Sequence, residues 1–109
     1  MNTELPATLA ADLSLLLGTD GWRTDATALD ANAQDNSWRR QRPLAVALPS
    51  TREQVQAIVR ACRAHRVALV ARGAGTGTTG AAVPLQGSIV LSLARMNQIL
   101  SIRPGDRCV

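Results

Sequence analysis

Apolar positions fall at helical spacing near the start of the chain. Leu9, Leu13, Leu16 and Leu17 share one face, with Pro6 near the start and Gly18 just past the end, so residues 6–17 are predicted to form an amphipathic helix. The period is then lost. From Gly21 to Pro43 Asp, Asn, Ala and Arg dominate, which predicts a long irregular connection, either functional or packed over the surface. Apolar residues return at Leu44–Leu48, a short strand closed by Pro49. Ser50 with Glu53, and Thr51 with Gln54, each fit a capping box, in which a hydroxyl and the side chain three residues on satisfy each other's orphan amides. A helix should start there. Val55, Ile58, Val59 and Cys62 then recur at i, i+3, i+4 and i+7 while Arg52, Arg60 and Arg63 fall elsewhere, so this helix lays one stripe on a sheet.

Val67–Ala71 is apolar throughout rather than alternating, the pattern of a strand covered on both faces in a parallel arrangement. Strand, helix and strand make one right-handed crossover unit. Downstream, Ser88–Leu93 reads as a third strand, Ala94–Gln98 as a tight turn, and Ile99–Ile102 as a fourth strand alternating apolar and polar. Pro104–Asp106 is a turn signal, and Arg107–Val109 looks like the first residues of a further strand. There is no internal repeat and no low-complexity tract. The 109 residues suit one small α+β domain, or part of a larger one, with a modest core.

Composition narrows the function. Trp22 and Trp38 are the only aromatic residues, too few for a surface that stacks single-stranded nucleic acid. The net charge is +4 and every basic residue is an arginine, but the arginines are scattered; only Arg39, Arg40 and Arg42 cluster, and that run reads as a solvated turn rather than a nucleic-acid patch. Cys62 and Cys108 lack the spacing of a disulfide framework or a zinc site, and Cys62 falls on the apolar helix stripe as an inert core thiol. His65, in the last helical turn between Arg63 and Arg66, has no carboxylate or nucleophile near it in sequence and reads as a solvated residue favoured by the helix dipole. The segment Met1–Pro6 lacks a basic leader, and the apolar stretch Leu9–Leu17 is too short to span a bilayer. A cytoplasmic location is expected, with peripheral attachment to the inner membrane left open.

The chemistry concentrates between the second and third strands, at Arg72, Gly73, Ala74, Gly75, Thr76, Gly77, Thr78, Thr79 and Gly80. Residues without side chains let the backbone approach a ligand and turn successive N–H groups inward, forming an anion-binding concavity from main-chain dipoles. Gly75, Gly77 and Gly80 formally match G-x-G-x-x-G. A dinucleotide fingerprint of the Rossmann type, however, needs a helix at once and an acidic residue some twenty positions on; Pro84 and Gly87 cut the helix, and the later position reads Ile99–Ile102. A Walker loop fails as well, because Ala81 and Ala82 stand where Lys and Ser or Thr would hold phosphate and magnesium. A cradle for a cofactor diphosphate built from loop amides remains, beside the plainer reading of a tight structural turn.

At this point the residues carry a resemblance. Ala45–Val55, Val67–Gly80, Gly87–Asn97 and Ile99–Ile102, with Asp35–Arg40 ahead of them, resemble the opening half of the FAD-binding domain in the vanillyl-alcohol oxidase and para-cresol methylhydroxylase superfamily, particularly its branch of glycolate oxidase subunits and D-lactate dehydrogenases. The resemblance covers roughly residues 30–109 in order. It implies that residues 1–43 are an N-terminal helix and lead-in, that 44–109 are the first part of that domain, and that the amides of Arg72–Gly80 bind the FAD pyrophosphate, with hydroxyls offered by Thr76, Thr78 and Thr79. Members that tether the flavin to this loop carry histidine where this chain has Thr76, so FAD is expected to be held non-covalently. Arg66 stands where a helix-ending glycine is common.

Relatives continue past this point with a substrate-binding cap that carries the catalytic histidines and arginines. The resemblance therefore implies a front portion with no catalytic and no metal-binding residue of its own. Its partners would be FAD, and either the remainder of the flavoenzyme or an iron–sulfur electron-transfer subunit. Two classes stay open: the flavin-anchoring part of a 2-hydroxy-acid dehydrogenase, or a non-catalytic fragment or small basic α/β binding module. On its own the portion is expected to be oligomeric or partly unfolded, to bind FAD weakly and to oxidise no hydroxy acid.

Overall fold

The computed structural model describes residues 4–109; Met1–Thr3, part of the predicted lead-in, lie outside the described residues. The elements are α1 (Ala7–Gly21), β1 (Trp22–Arg23), α2 (Ala26–Ala31), β2 (Ala45–Ala47), α3 (Arg52–Ala64), β3 (Ala68–Arg72), β4 (Ser88–Ser92) and a 3₁₀ turn at Pro104–Asp106. The strands form one sheet in the order β1-β2-β4-β3. β1 runs antiparallel to β2, and β4 lies parallel between β2 and β3. This is the expected α+β fold with a β-α-β unit at its centre.

Local signals place most of it. In α1 Leu9, Leu13 and Leu17 are buried, and Gly18 breaks the helix with φ at +74°, a conformation glycine takes without penalty. Leu16, expected on the same face, is 40% exposed. At α3 the Thr51 hydroxyl accepts from the Gln54 N–H (3.1 Å), and the Gln54 side chain accepts from the Ser50 N–H (2.7 Å), so of the two overlapping boxes the one starting at Thr51 caps the helix. Ile58 and Cys62 are buried and Val55 packs against the same cluster, whereas Val59 is 47% exposed: α3 covers the sheet with a narrower stripe than its sequence spacing suggests.

Alternate strand residues feed two cores. Ala45 and Ala47 of β2 and Ile89 and Leu91 of β4 point into a cluster with Leu9, Leu13, Leu17, Ile58, Cys62 and Val67 beneath α1 and α3. Val46 and Val90, paired in register, point the other way and meet Ala28, Leu29 and Leu48. Each fully buried Leu or Ile contributes about 1.5–3 kcal/mol by leaving water.

Four expectations need correction. The strand covered on both faces is β4, all of whose residues are buried; β3 pairs with β4 alone and lies at the sheet edge with Ala68–Val70 half-buried and Ala71 exposed. β4 takes the central place because it returns between β2 and β3, and an unbroken apolar run cannot reveal that order. The stretch 21–43 is not irregular throughout, since it holds β1 and α2, and Gln34 bridges to Arg40. Ile99–Ile102 forms no strand: Ile99, Leu100 and Ile102 are exposed and have no ladder partner among the described residues. Arg107–Val109 does not start a strand in the sheet either; Cys108 makes an isolated bridge back to Arg103 around the expected turn.

Candidate functional site

β3 and β4 are parallel neighbours, so the chain leaving the carboxyl end of β3 must travel the length of the sheet before it can enter β4. Residues 73–87 make that crossing without a helix. The path from β2 through α3 to β3 steps outward past β4, and the path from β3 to β4 steps back. Two right-handed crossovers in opposite directions lie on opposite faces, so α3 covers one side and the glycine loop the side of α2. That explains how the segment following α2 comes to meet the loop.

The meeting is built from specific bonds. The Arg72 guanidinium donates through Nη1 to the Gln34 carbonyl (2.8 Å). The Asn36 N–H donates to the Gly77 carbonyl (2.9 Å), and its Nδ2 donates to the Thr76 carbonyl (3.2 Å). Asp35 Oδ1 accepts from the Ser37 N–H (2.7 Å), which closes an Asx turn. The Ser37 hydroxyl first, and then the N–H groups of Ser37, Gly80 and Ala82, hold the Asp35 carboxyl below its ordinary range against partial burial. Its Oδ2 is buried without a hydrogen bond of ordinary geometry. The segment is itself anchored: Asp30 accepts from Arg40 (3.0 Å) and Arg42 (2.9 Å). Two of the three clustered arginines thus share one carboxylate. Arg39 packs its side chain beside Gly80.

Across this brace the loop stays open. Gly73, Ala74, Thr76, Gly77, Thr78 and Thr79 are exposed, and Arg72, Gly75 and Gly80 are half-buried. Gly75 has φ at +73°, and a Cβ there would strike the Arg72 guanidinium. At Gly77 a Cβ would meet nothing closer than Asp35 Oδ2 at 4.0 Å, and φ is not positive; the fold alone does not require glycine there, but a ligand seated against the backbone would. A groove of about 460 Å³ beside the loop is lined by Gln34, Asp35, Asn36 and Trp38. Trp38 is 99% exposed with φ at +70°, an uncommon state for a bulky residue.

The remaining candidates stay in structural roles. Cys62 is buried, and burial pushes its thiol up to about 11, which keeps it protonated and inert. His65 caps the C-terminus of α3, donating its backbone N–H to the Ala61 carbonyl. Arg66 follows with φ at +56°, the left-handed state in which glycine is common. The brace residues Gln34, Asp35 and Asn36 carry no periodic signal; the likeness of Asp35–Arg40 to the family segment points to Asp35 and Asn36, and nothing local points to Gln34. No helix of the described residues is long and apolar enough to cross a membrane.

A parallel β-α-β sheet whose second crossover is a helix-free, exposed glycine loop defines an α+β domain. Comparison with known proteins makes the class specific. A family model described as FAD binding domain matches residues 43–109, and the chain belongs to that family. Glycolate oxidase subunit GlcD of Escherichia coli is 42% identical over 90 residues, which are 83% of this chain and 18% of that protein. D-2-hydroxyglutarate dehydrogenase of Stutzerimonas stutzeri is 46% identical over 87 residues, 77% of this chain and 18% of that protein. The chain therefore spans about a fifth of the length of these relatives. Among solved structures, p-cresol methylhydroxylase with substrate bound superposes at a TM-score of 0.76 with 28% identity, covering 89% of this chain and 20% of that one. Alkyldihydroxyacetonephosphate synthase superposes at 0.82 over 94% of this chain and 23% of that one; at 18% identity the likeness is one of fold. The fold is the N-terminal part of the FAD-binding fold of the p-cresol methylhydroxylase type, and FAD is the cofactor.

Proposed function

We propose that this chain supplies the diphosphate-holding part of an FAD-dependent dehydrogenase of 2-hydroxy acids, with residues 44–109 as the first part of the FAD-binding domain and 1–43 as its lead-in. Arg72, Gly73, Ala74, Gly75, Thr76, Gly77, Thr78, Thr79 and Gly80 hold the cofactor. The observation that carries the reading is the loop itself, an exposed run of amides free of acidic side chains, with room for close approach at Gly73 and Gly77. When bound, FAD accepts the electrons removed from the hydroxyl-bearing carbon of the substrate. The chain's own residues bind and orient: the loop amides accept the diphosphate charge, the threonine hydroxyls add donors, and Arg72 braces the loop base through Gln34. No residue of this chain is assigned to the oxidation step, which falls to a substrate-binding portion elsewhere in the enzyme.

Thr76 stands where tethered relatives have histidine, so FAD is held without a covalent bond. The electron acceptor we favour is an iron–sulfur partner, in the cytoplasm or at the inner face of the membrane. The relatives named for glycolate and D-2-hydroxyglutarate support the substrate class.

The test is a titration of the chain with FAD, read by flavin fluorescence, beside the Gly75→Val variant. Weak but saturable binding that the substitution abolishes is expected, with all flavin released into the supernatant on acid denaturation. Equal binding by both proteins overturns the loop assignment, and colour retained in the denatured pellet overturns non-covalent attachment.

A further inference from the structure

We infer that Asn36 is a positioning residue of the cofactor site, which holds the carbonyls of Thr76 and Gly77 on one side of the glycine loop and so presents the N–H groups of Gly77 and Thr78 on the other. The geometry follows from the planar trans peptide, in which the carbonyl of one residue and the N–H of the next point in opposite directions. No cis bond occurs among the described residues. Asn36 holds two consecutive carbonyls, Thr76 through its side chain (3.2 Å) and Gly77 through its backbone N–H (2.9 Å). The amides that follow them, Gly77 N–H and Thr78 N–H, must then point away from Asn36. Neither donates to another backbone group among the described residues, and both residues are exposed. Consecutive free amides turned to one side make a seat for an anion.

Charge selects the same side. The Asp35 carboxylate lies on the braced face, its Oδ2 4.0 Å from the position a Gly77 Cβ would occupy. A diphosphate approaching there would meet a like charge, and the Gly77 and Thr78 N–H groups are turned away from it. Asn36 is held in turn, because the flanking Gln34 carbonyl accepts from Arg72 (2.8 Å) and Arg40 is paired with Asp30 (3.0 Å). An asparagine does here what a serine or alanine could not, since its side chain and its own backbone must reach neighbouring carbonyls together.

That the anion is the FAD diphosphate rests on the function proposed above, so the experiment separates the two. Residual dipolar couplings of the isotope-labelled, ligand-free chain report the directions of the Gly77 and Thr78 N–H bonds without any cofactor. The wild type is expected to place both opposite Asn36. Asn36→Ala, and the isosteric Asn36→Asp, which lacks the donor, should change those two couplings while the amides of β2 and β4 keep theirs. Titration with FAD should then show affinity lower by roughly fivefold in either variant, the loss of about one net hydrogen bond, with a cooperative melt retained and its midpoint lowered by only a few degrees. Couplings that are the same in wild type and both variants overturn the positioning role, and so does equal FAD affinity. If FAD fails to bind the wild type while the couplings respond as expected, the flavin reading falls and the orientation by Asn36 stands.

Discussion

Arg72 and Gln34, 38 positions apart, are joined by a 2.8 Å bond from the guanidinium Nη1 to the backbone carbonyl. The same guanidinium covers the space that a Cβ on Gly75 would need. One side chain thus ties the end of β3 to the segment after α2 and sets the backbone state of the loop that follows.

Gly75 is therefore the sensitive glycine of the loop. Gly75→Ala should destabilise the chain by about 1–3 kcal/mol in denaturant unfolding, the usual penalty for a strained backbone state, because φ is +73° and the new Cβ displaces Arg72. Gly73→Ala, where a Cβ meets nothing within 4 Å, should leave stability unchanged. Equal effects at the two positions would show that the Arg72 contact does not constrain the loop.

Arg66 holds φ at +56° directly after α3, a state that costs a residue with a Cβ roughly 1–2 kcal/mol. Arg66→Gly is expected to recover about half of that, the rest being offset by the extra freedom of glycine in the unfolded chain. A higher denaturation midpoint is the readout, and a drop refutes the strain.

Asp25 caps α2 by accepting from the Ala28 N–H (3.1 Å) and is paired with Arg23 through Nε (2.6 Å). Arg23 first, and then the Ala28 amide, pulls its carboxyl from 3.8 down to about 2. Because the folded value is depressed, the stabilisation is complete above the ordinary value and is lost as pH falls through about 2. The stability gap between wild type and Asp25→Asn should be constant near neutrality and close below pH 4, by a small amount that salt reduces further. A gap at pH 2 as large as that near neutrality would rule out the carboxylate as its source.

The two thiols should behave oppositely. Cys62 is buried and pushed up to about 11, while Cys108 is exposed. A disulfide reagent at pH 8 should modify one thiol per chain promptly and the second only after denaturant is added. Rapid reaction of both would mean that the cluster beneath α3 opens readily.

Much of this protein is legible without coordinates because the relevant physics is local. The Thr51–Gln54 cap starts α3, Gly18 breaks α1, the apolar runs at 44–48 and 88–93 become β2 and β4, and the absence of lysine and of a following helix separates the glycine loop from its better-known lookalikes. Those features depend on neighbours within a few residues. What tertiary structure alone decided depends on partners far along the chain. Strand order made β4 central and β3 an edge, although β3 carries the longer unbroken apolar run, because burial on a sheet follows from which strands flank it. Ile99–Ile102 is apolar at all but Ser101 yet forms no strand, since a ladder needs a second backbone and none lies alongside among the described residues. The stretch 34–40, featureless by periodicity, became the brace of the site because opposite crossovers place it against the loop, where Asn36 finds the carbonyls of Thr76 and Gly77, far along the chain.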